Sequence, residues 1–223
     1  ALSDGRVTGK HVSGELVRMD GYEPDAEFTT HFAPQRKTVE QFVSKRIGRF
    51  TEGISTRPAY FGPSAFVDFI HQLQLAISGA DISLAAPLSF DAQIPAGDIF
   101  VSDMFNLYKY ENMLYVMSLS GKEIRGALEM SYALWTNRMT SADDQLLLLR
   151  DRPREGAADR AVFQNPSYNF DSAAGILYTV DVTKPEGQKV HIVSMADGTP
   201  FDEEEMYRVA VNSYRGNGGG ELL

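Results

Sequence analysis

Phe66, Phe69, Ile70, Leu73 and Ile77 recur three and four positions apart, the spacing that aligns side chains along one face of a helix. Pro63-Ser64 directly ahead supplies a start signal, because a serine oxygen accepts from backbone N–H groups that a helix's first turn leaves free. The apolar face is expected to be buried in a core. Shorter β-rich runs follow at residues 81–85, 113–117, 176–180, 190–193 and 207–211. Ser120-Gly-Lys-Glu123 opens an amphipathic helix that ends near Trp135, read as core. Strands alternating with helices predict a layered α/β (α+β) domain.

The first part of the chain reads differently. Residues 1–32 are polar and Gly-rich, with one strand expected at 14–18. Pro34 suits a helix's first turn, and Val39, Phe42, Val43 and Ile47 make an apolar face that stops at Gly48. Residues 49–55 look strand-like. The stretch 143–154 mixes charge with a leucine run and reads as an insertion, a flap or a partner contact.

Candidate chemistry gathers at the other end. Val209-Ala-Val-Asn-Ser-Tyr-Arg-Gly-Asn-Gly-Gly-Gly220 runs from an apolar strand into an aromatic and an almost side-chain-free loop. Gly216, Gly218, Gly219 and Gly220 let a ligand approach the main chain closely, and Tyr214 at the lip suits stacking on a flat ring. A second aromatic segment, Leu107-Tyr-Lys-Tyr-Glu-Asn112, precedes the run at 113–117.

Gly79-Ala-Asp-Ile-Ser83, Ala86-Pro-Leu-Ser-Phe90, Tyr108-Lys-Tyr-Glu-Asn112, Leu119-Ser-Gly-Lys-Glu-Ile124, Tyr168-Asn-Phe-Asp171, Tyr178-Thr-Val-Asp-Val-Thr183 and Asn212-Ser-Tyr-Arg215 together resemble the C-terminal domain of the bacterial 5'-nucleotidase family. The resemblance implies an α/β/β/α layered fold and assigns residues 1–32 to the trailing segment of a preceding metallophosphoesterase domain. It makes 33–48 an inter-domain helix and 49–223 the substrate-binding domain. It also implies that two aromatics sandwich the nucleobase, at the positions of Tyr110 and Tyr214. The 5'-nucleotidase branch carries Phe at both, a Gly-Gly-Gly-Ile-Arg run that binds phosphate, and an aspartate after the terminal glycines. Here Ala86-Pro-Leu-Ser-Phe90-Asp91 and Gly220 stand in those places. The tyrosine forms are similar to 2',3'-cyclic-nucleotide 2'-phosphodiesterase/3'-nucleotidases. Glu221 is a candidate replacement for the missing acid.

Charge narrows the partners. The chain has 223 residues, 43% hydrophobic and 11% aromatic, enough for a full core, and a net charge of −9. A nucleic-acid polymer needs a basic stripe, which the scattered Lys and Arg do not form; a mononucleotide does not. No run reaches the roughly twenty apolar residues of a membrane span. Ala1-Leu-Ser-Asp-Gly5 lacks the regions of a signal peptide, so the start reads as an internal cut. The resemblance implies a periplasmic or cell-surface location, and the absence of cysteine fits either bacterial compartment.

His11, His31, His71 and His191 fall in no metal-ligand spacing and are read as surface or satisfied core residues. With no Gly-x-Ser-x-Gly elbow, cysteine nucleophile, Walker loop or dinucleotide loop, no catalytic residue and no cofactor is assigned to this chain. The resemblance places two divalent metal ions in the family's N-terminal domain, the expected partner of this one. Asn112 offers donors and an acceptor to a base edge, or serves as a turn former. Arg215 faces a phosphate or ribose, or makes a surface salt bridge, the reading preferred from its place beside a stacking side chain. Phe90 lines the pocket or fills the core. The expected function is nucleotide or nucleoside binding in a metal-dependent phosphohydrolase. The alternatives are a 5'-nucleotidase or nucleotide-sugar hydrolase, and a non-catalytic interaction module.

Overall fold

The structure, a computed structural model, describes residues 2–3, 5–7, 9–150 and 163–221. The chain divides into two units, Ala1–Val43 and Ser44–Leu223. The first carries strands β1 (Leu2–Ser3) and β2 (Arg6–Val7) and helix α1 (Ala26–Val43). Residues 14–18, expected as a strand, take no regular structure; a lone strand has nowhere to place its backbone hydrogen bonds. The helix expected from Pro34 begins earlier, where the Asp25 carboxylate accepts from Phe28 N–H at 2.7 Å, and Pro34 lies inside it. It also ends earlier, so Ile47 and Gly48 fall in a strand.

The second unit runs β3 (Arg46–Phe50), β4 (Ile54–Ser55), a 3-10 turn (Arg57–Tyr60), α2 (Ala65–Ser78), β5 (Ile82–Ala85), β6 (Gln93–Ile94), β7 (Gly97–Phe100), α3 (Val101–Leu107), β8 (Leu114–Ser120) and α4 (Gly121–Trp135). There follow a 3-10 turn (Ser167–Asn169), β9 (Ser172–Ala174), β10 (Ile176–Val180), β11 (Val190–Met195), β12 (Met206–Asn212), α5 (Ser213–Gly216) and a 3-10 turn (Gly219–Glu221). A mixed sheet of order β8-β12-β5-β9 forms the centre, with β12 parallel to β5 and antiparallel to β8. The pairs β3-β7, β4-β6 and β10-β11 flank it. Pairing of β3 with β7 claims the residues whose local pattern suggested helix, a tertiary override of propensity.

Alternation along β5 and β12 gives the sheet two dry faces. Ile82, Leu84, Val209 and Val211 join Ile124, Leu128, Tyr132 and Trp135 of α4 in one core. Ala85 joins Phe66, Val67 and Ile70 of α2 in another. Ser64 caps α2 by accepting from Val67 N–H, and Gly79 ends it in the left-handed conformation at φ 60°. Leu73 and Ile77, placed on the buried face by spacing, stay exposed; the burial stripe runs instead through Val67, His71 and Gln74. Trp135 lies flat between Tyr132, centroids 4.9 Å apart, and Phe170, 5.5 Å apart. The described part of the 143–154 run is no exposed flap: Leu147 is buried, and Leu146 and Leu149 pack on the same core. Its last residues, 151–154, lie outside the described ones.

Several buried polar groups are paired, whereas Trp135 Nε1 and Asn169 Oδ1 have no hydrogen-bond partner among the described residues. Glu129 accepts from the backbone N–H of Lys189 and Val190 at 3.1 and 2.7 Å, tying β11 to α4. Ser120 and Glu123 cap α4 reciprocally: Ser120 Oγ accepts from Glu123 N–H at 3.3 Å and Glu123 Oε2 accepts from Ser120 N–H at 2.8 Å. Replacing Ser120 with alanine is expected to lower stability by about 1 kcal/mol, seen as a lower urea midpoint at unchanged slope.

Candidate functional site

The two aromatic segments meet where β12 ends beside the start of β8. Their register sets Asn212 opposite Leu114, so the turn before β8 and the turn after β12 lie side by side. Ser213 fastens them. Its N–H donates to Met113 O at 2.8 Å, while its hydroxyl accepts from Met113 N–H at 3.1 Å and donates to Asn112 Oδ1 at 3.3 Å. Asn112 Nδ2 donates to Tyr108 Oη at 3.2 Å, and burial pushes the Tyr108 phenol above its ordinary pKa. The Asn112 amide thus holds the turn and still borders the cavity, leaving one N–H and one lone pair for other partners.

This arrangement opens a cavity of about 420 Å³ lined by Leu88, Tyr110, Glu111, Asn112, Tyr168, Asn212 and Tyr214, within the roughly 300–1,000 Å³ typical of small-ligand pockets. Tyr110 and Tyr214 are 43% and 42% exposed, so each ring keeps free surface. Tyr168 stands edge-on to Tyr214, centroids 6.0 Å apart at 89°. Lys109 Nζ lies 5.2 Å from the Tyr110 ring centre. Among the lining residues Glu111 alone carries a formal charge.

A larger cavity, about 560 Å³, lies between the N-terminal half of α2, the end of α4 and β10. Its walls include Val67, Leu146, Ile176 and Val180, and its inner polar groups bond one another: Tyr132 Oη meets Tyr178 Oη at 2.9 Å, and His71 meets Ser172 Oγ at 3.1 Å. None of the sequence candidates lines it. The smaller cavity is the candidate site, because the exposed rings and the turn amides converge there.

Several candidates take other places. Arg215 neither faces the cavity nor lies at the surface. It is 2% exposed, and its Nε donates to Asp171 Oδ2 at 2.6 Å. Burial pushes the Asp171 carboxyl up and Arg215 opposes that shift. Phe90 packs on the aromatic core, 5.3 Å from Tyr60 and 5.4 Å from Phe163. The glycine-rich segment is a pair of helical turns, not an open loop: Asn212 Oδ1 caps α5 by accepting from Arg215 N–H at 2.8 Å. Gly216, Gly218, Gly219 and Gly220 do not line the cavity. A Cβ on Gly216 would press on the Tyr115 ring at 2.7 Å, and one on Gly219 on the Tyr214 ring at 2.6 Å. Gly218 and Gly220 turn at φ 84° and 73°, where other residues are strained. Gly219 and Gly220 let the backbone pass close to Tyr214 and Arg215.

Tyr168, Asn212, Leu88 and Glu111 were not singled out as site residues. Tyr168 and Asn212 sit in the stretches Tyr168-Asn-Phe-Asp171 and Asn212-Ser-Tyr-Arg215 that carried the family resemblance, and that was the available signal. Among the described residues no three His, Cys, Asp or Glu side chains form a group able to hold a metal. No described helix is long and apolar enough to cross a membrane.

A model of the 5'-nucleotidase C-terminal domain matches residues 46–223. Trifunctional nucleotide phosphoesterase protein YfkN of Bacillus subtilis is 32% identical over 143 residues, covering 59% of this chain and 9% of that protein. The 2',3'-cyclic-nucleotide 2'-phosphodiesterase/3'-nucleotidase of Haemophilus influenzae is 24% identical over 227 residues, covering 87% of this chain and 33% of the relative. A crystal structure of a 5'-nucleotidase from Staphylococcus aureus in complex with alpha-ketoglutarate superposes with TM-score 0.67 at 25% identity, over 91% of this chain and 37% of that one. This chain spans about a third or less of the curated relatives it matches. The match over 46–223, with the mixed α/β fold it shares, shows that the chain belongs to the 5'-nucleotidase C-terminal domain family.

Proposed function

We propose that residues 49–223 bind the nucleoside part of a nucleotide by stacking its base on Tyr110 and Tyr214, and present the phosphoester to a metallophosphoesterase domain of the same polypeptide. The helical segment before residue 49 would connect the two. The observation that carries this reading is the convergence of Tyr110, Asn112 and Tyr214 on one cavity. Stacking accepts any base, because each has a flat face, so broad base specificity follows. Among the described residues no lysine or arginine lines the cavity. The phosphate therefore finds no counter-charge there, and recognition falls on the uncharged base and sugar. Binding energy from that non-reacting part positions the reacting phosphorus, while the two metal ions that hydrolyse it belong to the other domain. Relatives named 2',3'-cyclic-nucleotide 2'-phosphodiesterase/3'-nucleotidase favour 2',3'-cyclic and 3'-phosphates as substrates; the family resemblance adds a periplasmic or cell-surface location to this reading.

Calorimetric titration with adenosine, 3'-AMP and 5'-AMP tests this. Adenosine and the two nucleotides are expected to bind with similar affinity. Tyr110→Ala and Tyr214→Ala should each weaken all three about 5- to 150-fold, the loss of one stack of roughly 1–3 kcal/mol. Full affinity in both variants, or a marked preference for 5'-AMP, would point to a different pocket or to a phosphate-reading 5'-nucleotidase.

A further inference from the structure

Building on the base-clamp reading, we infer that Arg215 and Asp171 form a buried latch that holds Tyr168 edge-on against Tyr214, making Arg215 a positioning residue and Tyr168 a third aromatic wall of the base pocket. One guanidinium reaches every part of this corner. Nε donates to Asp171 Oδ2 at 2.6 Å, Nη2 donates to Tyr168 O at 3.3 Å, and Nη1 donates to Gly219 O. Its Cζ lies 5.7 Å from the Tyr214 ring centre. Asp171 is itself anchored, since its carbonyl accepts from Ser131 Oγ of α4 at 2.8 Å. The latch therefore joins α4, the turn bearing Tyr168 and the turn after Tyr214.

The chemistry of the pair argues for geometry rather than strength. A buried ion pair is often no more stable than well-packed apolar residues of the same volume, so an apolar filler would hold this core as well. An apolar filler offers no N–H groups to the carbonyls of Tyr168 and Gly219. Lysine keeps the charge but offers a point donor in place of a planar fork, and cannot serve three divergent acceptors in one plane. Gly220 fits the same purpose, because a Cβ there would run into Arg215 and Asn169. Tyr168 is 39% exposed and lines the cavity, so its ring has surface to offer a ligand as well as an edge to offer Tyr214.

The test uses the native chain, Arg215→Lys and Tyr168→Leu. In the unliganded native protein, NMR is expected to show cross-relaxation between the rings of Tyr168 and Tyr214. Arg215→Lys should lose that contact while the Trp135 indole resonance, a marker of the core, stays in place, and adenosine should bind about fivefold more weakly or worse. Tyr168→Leu keeps the buried pair and its backbone carbonyl, and should weaken adenosine to a similar degree. Arg215→Lys retaining both the ring contact and full affinity would overturn the latch and leave the base clamp standing. Should Arg215→Lys unfold, unchanged adenosine binding by Tyr168→Leu overturns the inference. A native protein that binds no adenosine overturns the clamp and the positioning role with it.

Discussion

Replacing Phe170 with alanine is expected to lower the stability of the 44–223 unit by about 3–5 kcal/mol. The ring is fully buried. It lies flat on Trp135 at 3° and meets Phe163 edge-on at 5.3 Å and 87°, with Tyr60 edge-on at 6.4 Å. Truncation removes the transfer free energy of the ring and leaves a cavity whose stacked, rigid aromatic walls collapse poorly, which favours the upper part of the range. Phe170 also sits between Tyr168 and Asp171, so the loss reaches the base pocket. The chain's one tryptophan is the direct neighbour, which makes Trp135 fluorescence during urea unfolding the natural reporter. Leucine in place of Phe170 should recover part of the loss; a Phe170→Ala protein within 1 kcal/mol of native would show that this stack is not the core's centre.

Acid should destabilise the same unit through His71. Its ring is buried, with Nδ1 2.9 Å from Ser83 Oγ and Nε2 3.1 Å from Ser172 Oγ. Ser83 gives its proton to Gln74 Oε1 at 3.1 Å, so it accepts from Nδ1–H, while the one proton of Ser172 is shared between Nε2 and Ala85 O, 3.1 and 3.3 Å from its oxygen. A neutral imidazole with its proton on Nδ1 keeps the Ser83 contact, and burial favours that uncharged form. Burial pushes the folded pKa down to about 4 from 6.5. The unfolded chain therefore takes up a proton that the folded chain refuses. Stability from this group is present in full above 6.5, falls as the pH drops towards 4, and levels off below. Over that interval the loss is about 3 kcal/mol. Comparing urea midpoints at pH 7.5 and 4.5 for native protein and His71→Gln isolates the term from carboxylate titration. The variant's midpoint should move distinctly less than the native one, and equal movement would mean that His71 does not carry the acid sensitivity.

What the sequence disclosed follows from which forces are local. The runs at 81–85 and 207–211 were legible because β5 and β12 are covered on both faces, and burial on both faces demands consecutive apolar residues. Ser64 and Ser120 announced their helices because capping is a short-range hydrogen bond. The strand at Arg46–Phe50 was legible only at its end, within the strand-like run 49–55; residues 46–48 were read as helix, since the partner β7 lies about fifty residues away and no local pattern encodes that pairing. Tyr110 and Tyr214 were named through the family resemblance and Asn112 through its amide, and the three line one cavity. Arg215 could not be placed. Its partner Asp171 is separated by 44 positions, and a solvent-facing arginine and a buried one look alike in sequence. The glycines after Tyr214 were read as room for a ligand at the main chain, but what approaches is the protein's own side chains: Tyr115 at Gly216, Tyr214 at Gly219 and Arg215 at Gly220.

The base clamp is tested most directly by intermolecular NMR contacts between adenosine and this chain. Cross-relaxation from adenine H2 and H8 to the ring protons of both Tyr110 and Tyr214 is the result predicted here. Contacts instead to Leu177 and Tyr178 of the larger cavity, or to neither tyrosine at saturating ligand, would contradict it.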